Sequence, residues 1–257
     1  MPLALDTPPI SHLVNWPAIA FKGQWFELNK IGLLAILSSV ITLTLFFIAG
    51  SKRKLVPTGV QNLIESSIEF IRDGIIMETM GNDGMMWLPL LTTMFFFILF
   101  CNLFEIVPFI QMPATARMAI PAFLAVMVWL CFNAVGIMKQ GIGHYFKNSL
   151  FPPGVPKALA PLVALIELFS TFFVRPLSLA IRLFANLLAG HILLITVSAF
   201  CIAFIEANFV GAKVAVVIPF VALVLLTGFE LLVAFLQAYI FTILTAVYIG
   251  GAIHPEH

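Results

Sequence analysis

Pro176 to His191 reads PLSLAIRLFANLLAGH, and this stretch decides what kind of molecule the chain is. It lies inside an apolar run from Ala158 to Ile205, far longer than the ~20 residues a helix needs to cross a bilayer. Within the run stand Arg182, Asn186 and His191, with Glu167 and Arg175 upstream. A guanidinium stays charged at any ordinary pH, and holding it at mid-membrane costs about 2.5–3.5 kcal/mol on insertion scales. A sequence that keeps such a charge has to give it a partner or an aqueous path, so these ionisable residues mark a functional site.

The rest of the composition agrees. Of 257 residues, 61% are hydrophobic and 10% charged, with a mean hydropathy of +1.09; soluble domains hold about 45–50% apolar and ~25% charged residues. The runs are too long for barrel strands of ~9–11 residues, so the expected fold is an all-α polytopic membrane protein. A net charge of +1 gives no basic surface for nucleic acid. Cys101, Cys131 and Cys201 sit in apolar segments without metal-ligand spacing and read as buried small hydrophobes. The chain has no GxxxxGK[ST] phosphate loop, paired-histidine metal motif or nucleophile elbow. No cofactor or metal is therefore expected, and any ATP chemistry belongs to another polypeptide. The acidic, Pro-rich N-terminus lacks the pattern of a cleavable signal.

Taken in order, residues 1–30 form a polar lead and 31–49 a first span, closed by Gly50 and the basic cluster Lys52-Arg53-Lys54. In 60–80, Ile64, Ile68, Ile71 and Ile75 recur at helical spacing while Glu65, Glu69 and Arg72 take other faces, which predicts an amphipathic helix at the interface or against a partner. Gly81 to Gly84 is a turn. Spans follow at 87–107, carrying Asn102 and Glu105 near its outer end, and at 119–138. Pro152, Pro153 and Pro156 break the chain before the run 158–205. Its 48 residues would measure about 72 Å as one helix against a hydrocarbon core of ~30 Å. Either it bends back and spans twice, with Pro176 and Gly190 as possible kinks, or it lies steeply tilted. The run 214–250, beyond a loop from Glu206 to Lys213, poses the same question. With one net crossing for each long run, seven Lys and Arg fall inside and four outside, which favours N-terminus out and C-terminus in.

On a helical wheel Thr171, Arg175, Ser178, Arg182, Asn186 and Ala189 share one face, and His191 points nearly the opposite way. The second long run carries its own stripe: Glu230, Ala234, Gln237, Phe241, Thr245 and Tyr248. The two stripes have the phase to meet along a partly hydrated path. The bland alternatives are an internal salt bridge for Arg182, a packed core histidine for His191, and packing hydrogen bonds for Asn102 and Glu105.

RLFANLLAGH, followed about fifty residues later by Glu230 and Gln237 in ELLVAFLQAYIFTILTAVYI, resembles subunit a of the F-type ATP synthase, the stationary proton channel beside the rotating c-ring. The resemblance extends over most of the chain. It implies a single membrane domain over 1–257, about five membrane helices, and a hairpin of two long tilted helices against the ring. It implies that Arg182 faces the ring's proton-carrying carboxylate. His191 and Glu230 then form an outer half-channel, extended by Asn102 and Glu105, and Glu167, Ser170 and Ser178 an inner one. The spacing from Glu167 to Arg182 is one residue longer than in some relatives. Gln237 is implied as the arginine's polar partner, Asn186 as a second partner or a ring contact, and Arg175 as an interfacial or lipid-facing cation. Tyr248 is expected to pack. Implied partners are the c-ring, the peripheral-stalk subunit b, other ATP synthase subunits and lipid, in a bacterial plasma membrane. A self-contained ion-coupled transporter is the alternative; it would show internal repeats and mid-span breaks, and neither is evident.

Overall fold

In lipid, backbone polar groups find partners only within helices or closed barrels, and in the computed structural model every regular element among the described residues is helical. The structure describes residues 29–51, 59–107, 110–150, 156, 159–207 and 210–253. Most of the 1–30 lead, the Lys52–Lys54 cluster, Pro152, Pro153 and Lys157 lie outside them.

Helix α1 is Lys30–Ser51. Helix α2, Val60–Ile71, continues through a π turn, Arg72–Ile76, to Thr79. A 3₁₀ stretch, Gly81–Trp87, leads into α3, Leu88–Leu103. Another, Ala114–Ala116, precedes α4, Ala119–Gln140, and the short α5, Ile142–Leu150. Helix α6, Ala160–Phe169, runs through a π turn, Ser170–Val174, into α7, Arg175–Glu206. The short α8, Val210–Ala215, and the long α9, Val217–Ile253, complete the fold. Five stretches among the described residues are long and apolar enough to cross a membrane: 30–51, 81–103, 119–140, 160–206 and 213–253.

Helix α9 is the centre. It packs on α3, α7 and α4, and Ala234, Ala238 and Ala246 on its inner face are buried almost completely. Between membrane helices lipid supplies no hydrophobic drive, so close approach over small residues does the work. Leu179, Leu183 and Leu187 of α7 and Leu91 and Ile98 of α3 fill the spaces around this face. The register of α7 against α9 is fixed at two points: Gly190 meets the carboxyl of Glu230, and the Arg175 guanidinium lies 5.7 Å from the centre of the Tyr248 ring. The two helices are therefore antiparallel, and the expected hairpin is present.

The isoleucine face of α2 behaves as its spacing predicts. Ile64, Ile71 and Ile75 are buried and Ile68 half-buried, while Glu65 and Glu69 stay exposed. The turn after it is anchored at Gly250 of α9, where an added Cβ would sit 2.9 Å from the Thr79 carbonyl oxygen.

Several sequence expectations need correction. The span expected to end at 107 ends at Leu103, because the chain must turn ahead of Pro108, whose ring disfavours helical backbone before it. Glu105 thus sits in a turn and not on the helix. Gly190 does not interrupt α7, which is one continuous helix from Arg175 to Glu206, so the run does not turn back there. The irregularity comes earlier, in the π turn. Pro176 has no N–H to offer the carbonyl of Phe172, and the widened turn relieves the clash of its ring. The connection after α4 contains α5, unforeseen, and the expected loop from Glu206 to Lys213 contains most of α8.

Candidate functional site

The π turn between Glu167 and Arg182 takes one residue more than an α turn. It also shifts helical phase. Thr171, expected on the arginine face, is buried, whereas Ser178, Arg182, Asn186 and Ala189 all remain exposed along α7. Ala185 joins them, so Arg182 stands in a strip of small and polar side chains. The opposite face, with Leu179, Leu183, Leu187, Gly190 and His191, is turned into the bundle. Among the described residues no carboxylate lies within ion-pair distance of Arg182, so the salt-bridge reading of this residue has no support here.

The buried side of α7 carries the second group. His191 Nδ1 is 3.9 Å from Glu105 Oε1, and the side chains are 9% and 1% exposed. Glu230 is buried, and its carboxyl is fitted against the bare backbone of Gly190, the residue before His191. Glu105 Oε1 and Glu230 Oε2 have no hydrogen-bond partner among the described residues. Buried polar atoms without partners are costly, and where they persist they point to a functional role. A cleft of about 340 Å³ reaches Glu105 and His191; Lys30, Glu105, Gln111, His191, Ser198 and Thr227 contribute its polar lining. Helix α1, the turn after α3, α7 and α9 thus converge where the Glu105 carboxyl and the His191 imidazole meet a space open to small polar species, with Glu230 buried behind it and outside its lining.

The remaining expected residues divide. Asn102 is fully buried, donates to the Ala234 carbonyl at 3.3 Å and accepts from Thr115 Oγ1 at 2.7 Å. Both ends of its amide pin α3 to its neighbours, which is the packing alternative. Gln237 is buried on the inner face of α9, and among the described residues it makes no hydrogen bond to Arg182. Ser178 Oγ donates back to the Arg175 carbonyl at 3.1 Å. Glu167 and Ser170 are half-buried, and among the described residues no hydrogen bond joins Glu167, Ser170 and Ser178 to one another. Arg175, expected as an interfacial or lipid-facing cation, is half-buried over the Tyr248 ring, which itself packs on Phe132 with ring centres 5.9 Å apart.

Three contributors escaped the sequence reading. Thr115 looked like part of an external connection, Lys30 like the end of the lead, and Gly190 like a kink. Only Gly190 carried a signal. A glycine inside an otherwise strong helix costs ~1 kcal/mol relative to alanine, and such a position marks a close approach.

The family model described as ATP synthase A chain matches residues 32–250. The chain is 40% identical over 241 residues to ATP synthase subunit a of Rhodococcus erythropolis, covering 93% of this chain and 88% of the relative. It is 42% identical to the Frankia alni subunit a, covering 98% and 86%. With the Maricaulis maris subunit a it shares 39% identity, covering 98% and 99%. Likeness that runs almost from end to end in each pair takes in every membrane helix and not one shared motif: the chain belongs to the family of ATP synthase subunit a, the multi-pass, proton-conducting stator subunit of the Fo sector, and catalysis on nucleotides resides in F1.

Proposed function

We propose that protons cross through two offset half-channels separated by Arg182. In the outer one they enter the cleft beside Lys30 and pass Glu105, His191 and Glu230 to the carboxylate of a c-ring subunit. An imidazole titrates near neutrality, and the partnerless carboxyl oxygens of Glu105 and Glu230 are suited to hold a proton in transit. The open strip of α7 is the ring-facing surface, with Asn186 and Ala189 as contacts. A fixed guanidinium there favours the ionised form of a passing carboxylate, so a protonated ring subunit gives up its proton before it moves by. The released proton leaves by the inner half-channel along Glu167, Ser170 and Ser178. Gln237 and Arg175 support the two helices from inside, Arg175 through Tyr248. Each proton falling through 100 mV releases about 2.3 kcal/mol, available as torque only because no continuous pore joins the two routes.

The observation that carries this reading is the opposition on one helix: Arg182 exposed and outside ion-pair distance of any described carboxylate, His191 buried 3.9 Å from Glu105 and next in sequence to the Gly190 that meets Glu230, with Glu105 Oε1 and Glu230 Oε2 lacking hydrogen-bond partners among the described residues. The remaining partners are the peripheral-stalk subunit b, other subunits of the complex and lipid. The membrane is the bacterial plasma membrane, with the N-terminus outside and the C-terminus cytoplasmic, as the excess of Lys and Arg in the inner segments favours.

The test is ATP-driven acidification of inverted membrane vesicles carrying Arg182→Ala. Acidification should be lost while the complex remains assembled. Arg182→Lys should fail as well, since a point ammonium does not reproduce the planar fork. Undiminished acidification in the alanine variant would falsify the role given to Arg182.

A further inference from the structure

We propose that Lys30 is a positioning residue for the outer half-channel: its ammonium latches the loop that carries Glu105 and so holds that carboxyl against His191. This rests on the route proposed above. The Lys30 ammonium donates to the Ile110 carbonyl at 2.9 Å, a contact across 80 residues of sequence. The loop it grips is closed on itself, since the N–H groups of Ile110 and Gln111 donate to the Val107 carbonyl at 3.2 and 3.1 Å and that of Met112 to the Phe104 carbonyl at 3.4 Å.

Glu105 lies inside this closed segment, one residue past Phe104, and has no side-chain hydrogen bond of its own to fix Oε1. Its place is therefore set by the loop. The loop contains a further point of tension: Gln111 has a φ of +42°, a left-handed conformation rare for a side chain of this kind. Some outside contact has to keep it there.

Two contacts do so. Phe104 and Met112 pack on Ile31 and Leu34 of α1, and Lys30, the first residue of that helix, takes the Ile110 carbonyl. The apolar cluster draws the loop down; the charged hydrogen bond sets its register, because it is directional and the apolar contact is not. Lys30, Glu105, Ile110, Gln111 and His191 all line the one cleft, so a slip of the loop changes the shape of the proton inlet directly. The titratable groups at this place among the described residues are Lys30, Glu105, His191 and Glu230.

The test uses the assembled ATP synthase in membranes, with Lys30→Met removing the donor and Lys30→Arg and Lys30→Gln keeping one. Passive proton conduction through F1-stripped vesicles is followed against outer-side pH, and the loop is read separately by the rate at which a water-soluble maleimide labels Ile106→Cys. Lys30→Met should lower conduction three- to tenfold, move the half-maximal pH by at least half a unit and raise labelling at least threefold. Lys30→Arg should stay within twofold of the parent. If Lys30→Met does not assemble, Lys30→Gln should still give parent-like labelling and conduction. Unchanged labelling in Lys30→Met, or equal losses in the methionine and arginine variants, overturns the latch. Glu105→Gln in parallel separates the two layers. Conduction sensitive to Glu105→Gln but not to Lys30→Met refutes the latch, and conduction indifferent to both refutes the route itself.

Discussion

Replacing Gly190 by alanine probes the contact between the two long helices at the carboxyl of Glu230. A Cβ at this position would sit 2.5 Å from both Cδ and Oε1 of Glu230, whereas ordinary contact begins at 3.4 Å. The carboxyl must therefore retreat by about 1 Å, and it is able to, being the end of a flexible side chain. Two effects on stability oppose each other. Glycine to alanine inside a helix gains ~1 kcal/mol, and overpacking a closed site costs about 1–3 kcal/mol. The net loss lies between about zero and 2 kcal/mol, so the complex should assemble in near-normal amounts on a native gel. Function is another matter, because a 1 Å displacement of a reacting group costs on the order of 10²-fold. Passive proton conduction in F1-stripped vesicles should fall ten- to a hundredfold. Shortening the acid with Glu230→Asp in the same background draws the carboxyl back and should recover part of the loss. Gly251→Ala, with nothing within 4 Å of the added carbon, is the neutral control. Conduction within twofold of the parent in an assembled Gly190→Ala complex would refute the claim that Glu230 acts from this position.

Thr115→Val removes the donor to Asn102 Oδ1 and leaves a fully buried acceptor, at a cost of about 1–3 kcal/mol; thermal melting of the detergent-purified complex should shift down, with Thr115→Ser close to the parent. Gly136→Ala drives a methyl into the Tyr145 ring, 2.5 Å from Cδ2, and a rigid ring has less room to yield than a carboxylate, so native gels should show less assembled complex than for Gly190→Ala. Tyr145 donates to Asn133 Oδ1 at 2.8 Å, and burial pushes its phenol above the usual value of about 10, outweighing a Ser149 hydrogen bond and the nearby Arg175 charge. A raised value in the folded chain means that the contribution of Tyr145 is complete below pH ~10 and is lost as pH rises through the shifted value. The 295 nm absorbance difference between parent and Tyr145→Phe should accordingly develop only above pH 10, and a difference already complete at pH 9.5 would contradict the burial.

Much of the architecture was legible because membrane helices announce themselves by length. The isoleucines of α2 from Ile64 to Ile71 and the stripe from Glu230 to Thr245 were readable from phase alone, since each lies on one uninterrupted helix. The stripe on α7 was readable only from Ser178 onward. Thr171 was misplaced because a wheel assumes 100° per residue, and the π turn ahead of Pro176 breaks that assumption. Helix α5 was missed because nine residues with a histidine, a lysine, an asparagine and a serine look like a polar connection until Tyr145 is seen seated over Gly136. At the site, His191 stood out as an ionisable group inside an apolar run and its pairing with Glu230 came from the family resemblance, while Glu105 was assigned to a helix it does not occupy. The pairings of Lys30 with Ile110, Thr115 with Asn102, and Gly190 with Glu230 are tertiary, and no local pattern encodes them.

The central claim is that the open strip of α7 faces the ring. A photo-crosslinking side chain at Asn186, exposed on that strip, and one at Leu130, exposed at 56% on α4, test it in the intact complex. The expected result is an adduct to the c-subunit from position 186 and none from position 130. A c-subunit adduct from position 130 with none from position 186 would contradict the placement of Arg182 at the ring.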